Sequence, residues 1–161
     1  MQTKNEKPKY LTVTSILSII LSVGVFLSSS TDLIAYLLKS YFKVSSTNEG
    51  FGFILSQVNN YNLFSGLFGL VGSILLFVGA LYVLGLAKTA SKFVSIGAIL
   101  LIIANVFEII NIWTSIPKTG LDGFSLSTVA FNLGSQVLDI AMYVFFVVLF
   151  TREKVLNRLN S

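Results

Sequence analysis

Four long apolar runs dominate the pattern of hydrophobic and polar positions along this 161-residue chain. The runs cover about residues 10–28, 63–87, 93–116 and 126–150. At a rise of about 1.5 Å per residue, helices of these lengths cross a hydrocarbon core about 30 Å thick, and the first is the tightest fit. The pattern therefore predicts an all-α, integral membrane four-helix bundle that forms a single transmembrane domain over residues 1–161.

The composition supports a membrane location and changes the meaning of the net charge. Only 11% of the residues are charged, whereas soluble domains carry about 25%. The net charge of +4 comes from Lys and Arg residues near the ends of the runs and in the tails, not from a folded basic face. These positions indicate contact with lipid headgroups, and we expect no nucleic acid partner.

The Lys and Arg residues also predict the orientation of the helices. Eight flank the termini and the loop between the second and third runs, and three lie on the opposite side. The eight are Lys4, Lys7, Lys9, Lys88, Lys92, Arg152, Lys154 and Arg158, and the three are Lys39, Lys43 and Lys118. Because positive residues favour the cytoplasmic side, both termini are predicted to be cytoplasmic in a prokaryotic-style cell membrane (cytoplasmic or inner).

The segment from Asp32 to Phe42 has two interpretations. Its apolar residues recur at helical spacing, and Ser30 or Thr31 could cap the start of a new helix. It would then form a short interfacial helix on the outer membrane surface. Alternatively, the first helix simply runs longer and emerges from the bilayer. The first span, at residues 10–28, carries no acidic residue.

Small residues on the second span predict close helix packing. They include Ser65, Gly69, Gly72, Ser73 and Gly79. Small side chains let helix backbones approach each other, which favours association inside a membrane. The first span has its own serine stripe, so we expect these two helices to pack through their small faces. The alternative is that the small face of the second span contacts another copy or a partner subunit.

Two otherwise apolar spans carry polar stripes. The stripe on the third span consists of Asn105, Glu108 and Asn111, and that on the fourth of Asn132, Gln136, Asp139 and Tyr143. Steps of three and four residues place the members of each stripe on one helix face. Since the two spans are antiparallel, we expect the stripes to face each other, with Glu108 and Asn132 at similar depth and Asn105 closer to Asp139.

Glu108 and Asp139 are the two residues most suggestive of function. A carboxylate near the bilayer centre costs roughly 2.5 to 3.5 kcal/mol, and no Lys or Arg lies within the four apolar runs to pair with it. The acids could be protonated, could share hydrogen bonds with neighbouring polar side chains, or could face a cation or a basic residue of another chain. They could therefore hold the helices together, handle protons or cations, or bind a partner or ligand.

The absence of Cys and His limits the possible chemistry. It excludes disulfides, thiolate catalysis, the usual zinc sites and His-ligated haem. The glycine-rich second span follows no strand, so it does not resemble a phosphate-binding loop. We expect no enzyme activity, no cofactor and no metal.

Two functional hypotheses remain for a chain of this kind. The preferred one is an accessory or structural subunit of a larger membrane complex, whose partners are the lipid bilayer and other membrane subunits or a second copy. The alternative is a small proton- or cation-coupled transporter or channel that uses Glu108 and Asp139.

Overall fold

The computed structural model describes residues 9–42, 58–85, 87–119 and 126–159, and nearly all of these are helical. Four long helices form the bundle: α1 (Lys9–Phe42), α2 (Asn60–Leu84), α3 (Ala90–Thr119) and α4 (Leu126–Thr151). A short helix, α5 (Glu153–Leu159), follows α4. Each long helix contains a segment long and apolar enough to cross a membrane. The predicted all-α, four-helix membrane architecture is therefore confirmed.

α1 is one continuous helix of 34 residues. At about 1.5 Å per residue it is about 50 Å long, well beyond the thickness of the hydrocarbon core. The hydroxyl groups of Ser30 and Thr31 donate to the carbonyls of Phe26 and Leu27, at 2.7 and 3.0 Å. They therefore bond back into the preceding turn instead of capping a new helix. The segment after the first span is part of α1, not a separate interfacial helix.

The other helix bounds differ modestly from the predicted spans. α2 begins and ends three residues earlier than expected, and α3 extends three residues further at each end. Pro117 consequently lies in the last turn of α3. The sequence also predicts a polar loop at residues 44–50, which lies outside the described residues. It predicts a turn-rich connector at residues 117–123, of which 117–119 belong to α3 and the rest lies outside the described residues.

The long helices pack in chain order. α1 packs on α2, α2 on α3, and α3 on α4. Within the described ranges, α1 and α4 form no extended interface. α5 contacts α4 and the body of the bundle through Val155 and Leu159, which belong to the same buried cluster as Leu11 and Phe150. Both ends of the described chain therefore lie at one end of the bundle, which we call the terminal end, and the opposite end is the loop end.

Glycines allow the closest backbone approach between α2 and α3. A Cβ atom on Gly97 would lie 2.6 Å from the backbone nitrogen of Leu76, and one on Gly79 would lie 2.7 Å from that of Val94. Gly72 meets α3 in the same way, at Leu101 and Gly97. Real Cβ contacts are never this short, so α3 can lie against α2 at these positions only because side chains are absent.

The other part of the small face of α2 packs against α1. A Cβ atom on Gly66 would lie 3.2 Å from the carbonyl oxygen of Ser29, and Gly69 lies against the Ser29 side chain. Ser65 and Ser73 are also buried. The small residues of α2 therefore serve two neighbouring helices, with Gly72 and Gly79 facing α3 instead of α1.

The outer surfaces of the bundle are apolar, as expected in contact with lipid. Phe131 and Leu138 of α4 are 77% and 71% exposed, and Leu27 of α1 is 62% exposed. By contrast, several serines of α1 are buried, and Ser15 and Ser18 donate to carbonyls one turn earlier in their own helix. Apolar outer surfaces and small polar interiors are typical of helices packed within a bilayer. The chain is a multipass membrane protein.

Candidate functional site

A polar cavity of about 310 Å³ lies between α1, α3 and α4, with one residue of α2 at its edge. Three carboxyl groups line it: Asp32 from α1, Glu108 from α3 and Asp139 from α4. Asp139 is at the midpoint of the span Ser127–Thr151, and Glu108 is six residues before the end of the span Ala90–Thr114. The cavity therefore extends from the middle of the bundle towards its loop end.

Glu108 has polar neighbours on α2 and α1. The hydroxyl of Ser65, which is 3% exposed, donates a 2.6 Å hydrogen bond to Oε1 of Glu108. The carboxyl group of Asp32 lies close enough to that of Glu108 for a hydrogen bond between them. A hydrogen bond between two carboxyl groups requires a proton on one of them, because ionised carboxylates only accept. The two acids can therefore act as a pair.

Asp32 is a cavity residue that the sequence pattern did not predict. The first span was expected to end near residue 28 and to carry no acid, but α1 continues through Asp32 to Phe42. The signal was present in the serine stripe, since Ser22, Val25, Ser29 and Asp32 follow one another at steps of three, four and three. Extending the stripe by one step places Asp32 on the packed face of α1.

Three residues of α4 complete the cavity wall. Gln136, Asp139 and Tyr143 all line it, as their spacing along one helix face had suggested. Tyr143 is only 1% exposed and interacts electrostatically with Asp139. The side-chain oxygen of Gln136 is buried and has no hydrogen-bond partner in the part of the chain that the structure describes. This wall therefore contains a polar oxygen atom that the described residues leave unsatisfied.

The other predicted stripe residues have different surroundings. Asn105 lines the cavity, but its amide donates 2.8 Å back to the carbonyl of Leu101 in its own helix. Asn132 does not line the cavity. Asn105 and Glu108 of α3 thus share the cavity with the α4 stripe, and the carboxyl group of Glu108 is directed towards Ser65 of α2 and Asp32 of α1. That direction follows from the close packing of α2 on α3, which puts Ser65 beside Glu108.

Asn111 belongs to a second polar cluster at the loop end. Its Oδ1 accepts a 2.6 Å hydrogen bond from Nδ2 of Asn59, the N-cap residue of α2. Asn59 Oδ1 in turn accepts from the backbone of Tyr61 at 2.8 Å, which satisfies a free amide at the start of the helix. Nearby, the ammonium of Lys39 donates to the carbonyl of Val58. This cluster ties α1 and α3 to the beginning of α2.

The cavity is rich in hydrogen-bond acceptors and poor in positive charge. The described residues of its lining include three carboxyl groups but neither Lys nor Arg. Among the described residues, no three His, Cys, Asp or Glu side chains lie close enough together to hold a metal ion. The lining therefore suits a proton, or a cation that donates hydrogen bonds. It is less suited to a compactly coordinated metal ion.

Comparison of the chain with protein-family models, curated proteins and solved structures found no match. Function therefore has to be inferred from the chemistry of the cavity itself.

Proposed function

We propose that this multipass membrane protein binds a cation in the cavity and exchanges it for a proton, as a small proton- or cation-coupled transporter. The observation that carries the proposal is the convergence of Asp32, Glu108 and Asp139 from three helices on one cavity, with no Lys or Arg among the described residues that line it. Acidic side chains are costly at membrane depth and usually mark ion pathways or proton relays. Polar contacts that merely hold two helices together need no cavity of this size.

The Asp32–Glu108 pair supplies the exchange step in this proposal. Two adjacent carboxylates repel each other, so the pair is most stable with one positive charge between them. That charge is a proton in the empty site, shared between the two carboxyl groups. When a cation enters, the proton leaves, and the net charge of the cavity stays constant. Asp139, Tyr143 and Gln136 provide additional oxygen atoms to the bound cation.

Proton release from proteoliposomes tests the proposal. The full chain would be reconstituted into vesicles that contain a pH-sensitive dye. Guanidinium would then be added to the outside of the vesicles only. Guanidinium remains charged at all accessible pH values, so its entry without the protein is slow. We expect guanidinium entry to drive proton efflux, and we expect binding to strengthen with rising pH because protons compete for the carboxylates.

Variants make the test specific. Asp32→Asn, Glu108→Gln and Asp139→Asn should each reduce the coupled proton flux, whereas Asn132→Ala, which changes a polar residue outside the cavity, should leave it unchanged. Unaltered flux in all three acid variants would overturn the proposal. The proposal assigns no covalent chemistry and no cofactor to the chain.

An accessory or structural subunit is the second candidate function. It is favoured by the lack of an extended interface between the described parts of α1 and α4, since a partner helix could enter there and bring a Lys or Arg to the acids. Native mass spectrometry after mild detergent extraction distinguishes the two. Detection of other chains bound to the 17.6 kDa protein would support the subunit hypothesis. In that case the Glu108→Gln and Asp139→Asn variants should no longer carry these chains. A monomer would favour transport.

A further inference from the structure

We infer that the cavity receives its cation from the bilayer, between α1 and α4, and that the ligand is an amphiphile with a nitrogen cation as its head and an apolar tail. This inference rests on the proposed cation site and adds the class of ligand and its route.

The route is a lateral gap in the bundle. The cavity is lined on one side by Gly24, Val25 and Ser28 of α1 and on the other by residues of α4, yet these two helices form no extended interface within the described ranges. Gly24 is exposed, and no atom lies within 4 Å of the place that its Cβ would take. The wall of the cavity is therefore open at Gly24.

Exposed apolar side chains flank the gap. Ile20, about one turn before Gly24 along α1, is 62% exposed. Leu138, next to Asp139 on α4, is 71% exposed. Because Asp139 is at the midpoint of its span, its carboxyl group lies at the depth of lipid tails. An apolar tail can remain among the lipids while the cationic head reaches the carboxyl groups.

An unsatisfied polar group identifies the head as a hydrogen-bond donor. The side-chain oxygen of Gln136 is buried and has no hydrogen-bond partner among the described residues. Tyr143, which is 1% exposed, lines the same cavity and interacts electrostatically with Asp139. Buried polar atoms are normally paired, and the N–H groups of an ammonium or guanidinium would pair both the amide oxygen and the carboxylates.

The charge of the lining argues against an ordinary phospholipid as the ligand. A phosphatidylethanolamine head carries a phosphate close to its ammonium. Within the described ranges, no Lys or Arg lines the cavity to neutralise that phosphate, and Asp32, Glu108 and Asp139 would repel it when ionised. A cationic amphiphile without phosphate avoids this repulsion.

Photochemical labelling of the full chain in lipid nanodiscs tests the inference. The probe is dodecylguanidinium with a diazirine close to its head group, and the labelled peptides are identified by mass spectrometry. We expect labelling at residues 24–28 and 136–143, competition by unlabelled dodecylguanidinium, and little competition by neutral dodecanol. Free guanidinium should compete at least about a hundredfold more weakly, because it lacks a tail that concentrates it in the bilayer.

Two glycines provide a matched pair of variants. Gly24→Leu should reduce labelling by at least about tenfold, since the new side chain occupies the gap. Gly134→Leu is the control, because Gly134 is also exposed with no atom within 4 Å of its added Cβ, but it does not line the cavity. Both substitutions replace a helical glycine by a better helix former, and thermal unfolding of the two proteins would establish that both fold.

The possible failures are distinguishable. Equal competition by free guanidinium and dodecylguanidinium, together with unchanged labelling of Gly24→Leu, would overturn lateral entry while leaving the cation site intact. Equal competition by dodecanol, with no loss in Asp139→Asn or Glu108→Gln, would overturn the cation site as well. Crosslinks between two copies at Gly24 would show that a second copy occupies the gap, which would also overturn the inference.

Discussion

Ser65 on α2 donates a 2.6 Å hydrogen bond to Oε1 of Glu108 on α3. The contact lies in the tightly packed interface between the two helices and directs the carboxyl group towards α1, where Asp32 is found. Ser65 thus positions Glu108 for its pairing with Asp32, and a small residue of the packing face takes part in the polar site.

Loss of the Ser65 hydroxyl should weaken the bundle. Ser65→Ala removes one partner of a partly buried acid, and we expect a loss of about 1 kcal/mol in the free energy of unfolding. Ser73→Ala is the matched control, because Ser73 is equally buried but donates to Leu70 in its own helix. Unfolding titrations in mixed detergent micelles give both values. Equal losses of unfolding free energy in the two variants would contradict a special role of the Ser65–Glu108 hydrogen bond. A double-mutant cycle with Glu108→Gln would measure the coupling energy between Ser65 and Glu108 directly.

Close approach of α2 and α3 should depend on Gly97. A methyl group in Gly97→Ala would be forced against the backbone of Leu76, 2.6 Å away, so we expect a loss of about 1–3 kcal/mol in unfolding free energy. Gly134→Ala should be neutral or slightly stabilising, because its Cβ would meet nothing within 4 Å and alanine is the better helix former. The same unfolding titration compares them. An unaffected Gly97→Ala protein would contradict the tight α2–α3 contact.

The N-cap of α2 should contribute to stability through two kinds of hydrogen bond. Asn59→Ala would free the amide of Tyr61 and break the 2.6 Å contact with Asn111, and we expect a cost of about 1–2 kcal/mol. Asn60→Ala is a suitable comparison, since Asn60 is exposed and its side chain accepts a long 3.3 Å bond from Tyr36. Hydrogen exchange at the start of α2 should rise in Asn59→Ala alone. Equal exchange in both variants would indicate that the cap contributes little.

The proposed orientation can be measured with single cysteines, because the chain contains none of its own. We expect Lys88→Cys and Arg152→Cys to react with a membrane-impermeant maleimide only after the cells are permeabilised. Tyr41→Cys, at a side chain that is 84% exposed at the loop end of α1, should react in intact cells. The reverse pattern would invert the topology, and labelling of all three in intact cells would contradict the four-span arrangement.

The sequence by itself determined the class of the protein and most of the helix bounds. Four apolar runs of sufficient length leave backbone amides no stable state in lipid other than helices, so both the all-α class and the number of spans follow from local composition. The periodicity of α4 also brought Gln136, Asp139 and Tyr143 to one face, because residues three and four apart share a face on any helix.

Only the tertiary structure decided which polar residues meet. Rotation of α3 about its axis, imposed by backbone contacts at Gly72 and Gly97, directs Glu108 to Ser65 and Asp32. The length of α1 was undecided in the sequence because Ser30 and Thr31 can either cap a new helix or bond back into the old one. Bonding back keeps Asp32 on the packed face of α1, and the third acid of the cavity follows from that choice.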